Sequence, residues 1–282
     1  MFTEEDLHKL RETVRGLQTG SGNPRAVAII DRLLDAVYPV IREMQITPAE
    51  WDAAVRFLGE TDPVMMRAVA WCLGLSQIVE ESNSRIGPQA TQACIEGPFH
   101  RPGAPELPLD APLHQVDDGA ELLFIEGRVL DTSGHAVADA QLDVWYANGK
   151  GNYSFFDPGQ PEHNCRGKLR SGADGSYRVF GSLPSAYHMD VGPMGTVLGV
   201  MGHQVWRPAH LHFILTAPGY EPLTTQLYIA GDPHLRDDPA VGVKDGLILP
   251  LQRQDGPEAL RARGVDRPYH TGRFDFRLQS AV

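Results

Sequence analysis

Two periodicities divide the chain. Over residues 1–83 apolar side chains recur at three- and four-residue steps: Leu7, Leu10, Val14 and Leu17 form one set, and Ile30, Leu33, Leu34, Val37 and Ile41 another. That spacing lines one side of a helix and predicts about four amphipathic helices in this region. Thr47-Pro48-Ala49-Glu50 marks a helix start, with a capping threonine, a proline in the first turn and a glutamate completing a capping box. Asp62-Pro63 marks another, leading into Met66, Val69, Ala70 and Leu73. From Ile86 the prolines at 88, 98, 102, 105, 108 and 112 forbid regular structure, so residues 84–120 read as an extended linker. Beyond it the period falls to two. Leu123 with Ile125, and Leu142 with Val144, alternate as half-buried strands do. Asp131-Thr132-Ser133-Gly134 and Ala173-Asp174-Gly175-Ser176 supply turns between such runs. The expected fold is mixed α and β: a helical N-terminal region over 1–83, and an antiparallel β-sandwich over 121–282.

Composition narrows the partners. The chain of 282 residues carries a net charge of −11 and no run of Lys or Arg, which argues against nucleic acid and anionic membrane. Its apolar stretches are too short to span a bilayer. The opening Met1-Phe2-Thr3-Glu4-Glu5-Asp6 lacks the apolar core of a signal peptide, so a cytoplasmic location is expected. Cys72, Cys94 and Cys165 are widely spaced and odd in number, which fits a reducing compartment better than a disulfide framework.

The densest candidate chemistry lies in Trp206-Arg207-Pro208-Ala209-His210-Leu211-His212-Phe213. On a strand, His210 and His212 project from the same face, roughly 6–7 Å apart, and two imidazoles so placed can hold one metal ion. They can equally be two ordinary half-buried histidines. Tyr153 follows the glycine-rich turn Gly149-Lys150-Gly151-Asn152, and Tyr187 sits in the loop Leu183-Pro184-Ser185-Ala186. Either tyrosine taken alone reads as a core ring. Arg207 and Gln226 complete the set; a structural ion pair and a backbone-satisfying amide are their plainer readings.

Taken together these segments resemble the intradiol ring-cleavage dioxygenases, specifically the catechol 1,2-dioxygenase and hydroxyquinol 1,2-dioxygenase group. The resemblance runs through Ile46-Thr47-Pro48-Ala49-Glu50-Trp51, Ile95-Glu96-Gly97-Pro98-Phe99, Gly103-Ala104-Pro105 and Val144-Trp145-Tyr146-Ala147-Asn148. It continues through the Tyr153 and Tyr187 segments, Arg207 to His212, and Ala217-Pro218-Gly219-Tyr220, all in family order. It implies one non-haem Fe(III) per subunit, held by Tyr153, Tyr187, His210 and His212. Two phenolates and two imidazoles do suit ferric iron better than a thiolate-seeking metal. It further implies that a small aromatic diol and O2 are the substrates, that the ring opens between the hydroxyl-bearing carbons to a cis,cis-muconate-type dicarboxylate, and that Tyr187 leaves the iron to take a substrate proton. Arg207 would then stabilise charge on the ring, and Gln226 would hydrogen-bond close by.

Val69, Cys72, Leu73, Ile95, Pro98 and Phe99 are expected in the pocket wall, although each apolar member would also serve as core. A neutral thiol at Cys72 favours catechol or a substituted catechol over hydroxyquinol, whose third hydroxyl wants an acidic acceptor. Asn164-Cys165-Arg166-Gly167-Lys168 and the Gly192-Pro193-Met194-Gly195 loop look more like the hydroxyquinol branch, whose product is maleylacetate. Tyr146 stands where many relatives have histidine or glutamine. The resemblance also implies a homodimer through the helical region, with lipid between subunits. Two rivals stand beside this reading: a non-catalytic transthyretin-like sandwich module, suggested by Gly127–Val137 and Ala140–Val144, and a zinc hydrolase, which two tyrosine ligands disfavour.

Overall fold

A computed structural model of the chain describes residues 3–17, 20, 22–83, 86–189 and 192–281. Met1 and Phe2 of the acidic amino end lie outside the described residues. So does residue 84, where helix is expected to give way to linker. The chain forms two compact units, Met1–Thr61 and Asp62–Val282.

The first unit is built from α1 (Glu4–Gly16), α2 (Pro24–Glu43) and α3 (Pro48–Glu60). The capping box at Thr47 forms as the residue pattern requires. Its hydroxyl accepts from the Glu50 amide at 3.3 Å, and the Glu50 carboxylate accepts from the Thr47 amide at 2.8 Å. Arg11 of α1 is buried between Asp31 and Asp35 of α2, at 2.6 and 2.8 Å, and ties the two helices together. On α2, Ile30, Leu33, Val37 and Val40, followed by Met44, recur at steps of three and four and all remain exposed.

The second unit begins with α4 (Pro63–Cys72) and α5 (Leu75–Asn83). The proline-rich connector then runs to β1 (Leu122–Asp131), followed by β2 (Gln141–Tyr146), β3 (Arg166–Arg170), β4 (Ser176–Ser182) and β5 (Tyr187–His188). After these come α6 (Gly192–Met201), β6 (Trp206–Arg207), β7 (His210–Thr216), β8 (Leu223–Ile229), β9 (Ile248–Leu249), β10 (Gln252–Gln254), α7 (Pro257–Arg263), β11 (Tyr269–Arg273) and β12 (Phe276–Leu278). One five-stranded sheet has the order β10-β11-β1-β12, with β4 also on β1. The other runs β3-β2-β7-β8-β9. Phe213 of β7 meets Phe276 of β12 with ring centroids 5.0 Å apart, which locates the core between the sheets. Among the described residues, no helix is long and apolar enough to cross a membrane.

Three details depart from the residue pattern. Antiparallel pairing dominates, but β1 pairs in parallel with β11 and β12, and β8 with β9, because these partners return through long crossovers rather than hairpins. β1 is buried on both faces at its start: Leu123 and Ile125 enter the main core, while Leu122 and Phe124 pack with Tyr269 in a second small cluster. The Gly192-Pro193-Met194-Gly195 segment, expected as a loop, opens α6, which is anchored by buried Met194 and Leu198. Tyr146 has a place in the core: its hydroxyl fills the space where a Cβ on Gly181 would lie, 1.9 Å away.

Candidate metal centre

β7 lies between β2 and β8, and its alternation sorts two kinds of chemistry. Leu211, Phe213 and Leu215 are fully buried in the core, anchoring the strand, so His210 and His212 must face the other side. Register sets their neighbours. Trp145 of β2 and Gln226 of β8 flank His212, and Tyr228 of β8 pairs with His210. The Trp145 indole stacks on the His212 ring, centroids 4.7 Å apart and 7° between planes.

The tyrosines arrive on loops brought together by a glycine. Asn148 accepts from the amides of Lys150 and Asn152 at 3.0 Å each, closing the turn that leads into Tyr153. Within that turn Gly151 has φ +78°, and a Cβ there would stand 2.7 Å from the Ala186 carbonyl and 3.3 Å from the Tyr187 Cβ. Only glycine allows the two tyrosine loops to approach so closely. Tyr187, on β5, pairs with Arg207 on β6.

Tyr153, Tyr187, His210 and His212 thus converge below the surface, each no more than 6% exposed. The Tyr153 hydroxyl lies 3.2 Å from His212 Nε2 and 3.5 Å from His210 Nε2, and the two Nε2 atoms are 3.0 Å apart. The two tyrosine rings meet edge to face at 5.3 Å. His210 Nδ1 is 2.6 Å from the Pro208 carbonyl, which can only accept, so Nδ1 carries the proton and Nε2 presents its lone pair inward. Burial, then the Arg207 charge, pulls the His210 pKa down to about 3; burial and His210 push His212 well below its usual range. Both imidazoles are therefore neutral and available as ligands. Burial raises both phenols, and the Arg207 charge opposes this at each.

Two imidazole nitrogens and two phenol oxygens thus face one another, with Arg207 Nη1 3.3 Å from His210 Nε2. Two nitrogen and two hard oxygen donors suit a ferric ion. Among the described residues no group of three or more His, Cys, Asp or Glu side chains converges, so a four-donor site here needs the phenols.

Arg207, 2% exposed, donates through Nη1 to the Tyr187 hydroxyl at 3.4 Å and through Nη2 to Gln226 Oε1 at 3.2 Å. Gln226 in turn donates to the Ile95 carbonyl at 2.6 Å and accepts from the Tyr228 hydroxyl at 2.7 Å. Of the expected wall residues, Phe99 packs on Tyr153 and Tyr187 at 4.5 and 5.9 Å between centroids. Val69, Cys72 and Ile95 are buried, Pro98 is half-buried, and Leu73 is 44% exposed. Burial raises the Cys72 thiol to about 11, with smaller influences from Arg207 and Asp238.

Sequence reasoning missed Asp238, which receives Arg207 Nε and Nη2 at 2.9 and 3.0 Å. It also missed Arg166, Ser154 and the packing role of Gly97. Gly97 has φ +78°, and a Cβ there would lie 3.1 Å from His212 Cε1.

The chain matches two family models: "Dioxygenase" over residues 95–280 and "Catechol dioxygenase N terminus" over residues 23–91. It is 32% identical over 295 residues to a catechol 1,2-dioxygenase of Acinetobacter baylyi, covering 100% of this chain and 94% of that protein. It is 37% identical over 247 residues to a chlorocatechol 1,2-dioxygenase of Cupriavidus pinatubonensis, covering 87% of this chain and 96% of that one. The crystal structure of a hydroxyquinol 1,2-dioxygenase from Pseudomonas putida DLL-E4 superposes with a TM-score of 0.87 at 32% identity, over 99% of this chain and 100% of that chain. With helices preceding a β-sheet domain as in that structure, and matched from residue 23 to residue 280, the chain belongs to the intradiol dioxygenases, enzymes of catechol catabolism that use non-haem Fe(III).

Proposed function

We propose that this protein is a catechol 1,2-dioxygenase acting on catechol or a substituted catechol, with one ferric ion held by Tyr153, Tyr187, His210 and His212. The observation that supports the ligand set is the convergence of the His210 and His212 Nε2 atoms, 3.0 Å apart, with the Tyr153 oxygen at 3.5 and 3.2 Å from them and Tyr187 buried alongside. Fe(III) held there would supply Lewis acidity toward the oxygens of the diol.

The chain's own residues divide the remaining work. Tyr187 is the proton acceptor. Arg207 Nη1 lies 3.4 Å from its oxygen and favours the anionic form that would receive the proton. The Arg207 guanidinium stabilises negative charge developing on the ring. Gln226, bonded to Arg207 and to the Ile95 carbonyl, sets that guanidinium against the pocket wall. Phe99 packs against both tyrosine rings and holds their orientation.

Substrate choice turns on Cys72. A buried thiol held at about 11 is neutral at physiological pH and a poor acceptor for a third hydroxyl. Hydroxyquinol is the second reading, supported by the likeness of Asn164–Lys168 to that branch. The test is kcat/KM for catechol, chlorocatechol and hydroxyquinol by oxygen uptake, with wild type and Cys72→Asp. Wild-type preference for catechol or chlorocatechol, moved toward hydroxyquinol by aspartate, supports the assignment. Preference of the wild type for hydroxyquinol overturns it.

The assembly proposed is a homodimer through the exposed α2 stripe, in the cytoplasm. The apolar hollow of about 290 Å³ lined by Leu7, Leu10, Tyr38, Ile41 and Arg42 supports a lipid tail in the same region.

A further inference from the structure

Arg166 opens β3 and is 2% exposed, while Arg170 on the same strand reaches solvent. Its Nε donates to Ser154 Oγ at 2.7 Å, Nη1 to the Phe99 carbonyl at 2.7 Å, and Nη2 to the Ser154 carbonyl at 3.3 Å. All three acceptors are neutral, and among the described residues no carboxylate forms an ion pair with it. A buried guanidinium so placed is unfavourable unless an opposite charge lies close by. The other buried arginine of the site, Arg207, has Asp238 for that purpose. Among the described residues no carboxylate touches Arg166, Asp143 acting on it only from beyond ion-pair distance; its Cζ lies 5.9 Å from the centre of the Tyr153 ring.

We infer that Arg166 is the counter-charge of the Tyr153 phenolate, a positioning residue that clamps the tyrosine loop through Ser154 and stabilises the anionic ligand oxygen by its permanent charge. This rests on the ligand set proposed above. Two segments far apart in sequence, the connector at Phe99 and the loop at Ser154, meet on this one guanidinium. The same group therefore fixes where Tyr153 sits and how strongly it donates electrons.

The test is the visible absorption of iron-loaded wild type, Arg166→Gln, Arg166→Lys and Ser154→Ala. Removing the charge raises the phenolate donor level, so the phenolate-to-iron band of Arg166→Gln moves to longer wavelength by about ten nanometres or more. Arg166→Lys, which keeps the charge, and Ser154→Ala, which loosens the clamp, leave the band near its wild-type position. The inference is overturned if Arg166→Gln loads iron with an unmoved band, or if Ser154→Ala shifts it as far as Arg166→Gln does. Where Arg166→Gln does not accumulate, Arg166→Lys decides: an unmoved band supports the counter-charge, and a displaced one rejects it. A wild type that takes up iron without colour overturns the ligand set itself, a failure visible before any variant is made.

Discussion

Arg207 and Asp238 form a two-pronged ion pair sealed from solvent, with Nε–Oδ1 at 2.9 Å, Nη2–Oδ2 at 3.0 Å and both side chains 2% exposed. Burial works against both charges, and each holds the other ionised. The carboxylate also accepts from the Ala240 and Gly242 amides at 3.2 and 3.1 Å, so it pins the 238–242 loop as well as the arginine. Removing one partner of a buried pair leaves the other uncompensated, at a cost of about 3–5 kcal/mol. Asp238→Asn should lower the denaturant midpoint accordingly and reduce kcat as Arg207 loses its direction. Wild-type stability together with wild-type turnover would contradict the role given to the pair.

Acid should weaken the metal-free protein through its imidazoles. His210 has a folded pKa near 3 against an ordinary value of 6.5, so the folded state binds fewer protons than the unfolded one. Its contribution is fully present above pH 6.5 and is lost as pH falls toward 3. The slope is about 1.4 kcal/mol per pH unit for one such group. Urea unfolding of wild type and His210→Asn at stepped pH checks this. The stability gap between them should narrow by about 2 kcal/mol from pH ~6.5 to ~5. A constant gap would mean that His210 is not held neutral by the fold.

Gly97→Ala tests how tightly His212 is seated. A methyl group at a φ of +78° is strained, and it stands 3.1 Å from the imidazole Cε1. Stability should fall by about 1–2 kcal/mol, and iron affinity by about tenfold or more as the ring is displaced. Metal content after dialysis against a competing chelator reads the second effect. Full retention would show that His212 has room to spare.

The α2 stripe should be an interface. Leu33 is 58% exposed and Val37 40%, and they belong to a seam of three- and four-residue steps suited to a second helix. Leu33→Glu with Val37→Glu should convert a dimer to monomer in sedimentation equilibrium without loss of helical circular dichroism. An unchanged mass would place the subunit contact elsewhere.

What the residue order revealed, and what it hid, follows from the range of the forces involved. Strand alternation is local, so the shared face of His210 and His212 was readable from Leu211 and Phe213 between and beside them. Capping is local too, and the helix at Thr47 begins where its box lies. Asp238 stood 31 positions from the arginine it neutralises, beside an equally acidic Asp237, with nothing local to distinguish the two. Arg166 alternates with Lys168 and Arg170, and nothing local sets it apart from them; its partners at Phe99 and Ser154 lie in other segments of the chain. The Gly-Pro-Gly composition of residues 192–195 concealed α6, which buried Met194 and Leu198 hold in place.

The most direct test of the iron site is the visible spectrum of purified, iron-reconstituted protein, taken before and after anaerobic addition of catechol. The ligand set predicts a broad red-purple phenolate-to-Fe(III) absorption. The band should move to longer wavelength as the diol binds, and weaken strongly in Tyr153→Phe. A protein that stays colourless and retains no iron after reconstitution would contradict the assignment of Tyr153, Tyr187, His210 and His212 as its metal ligands.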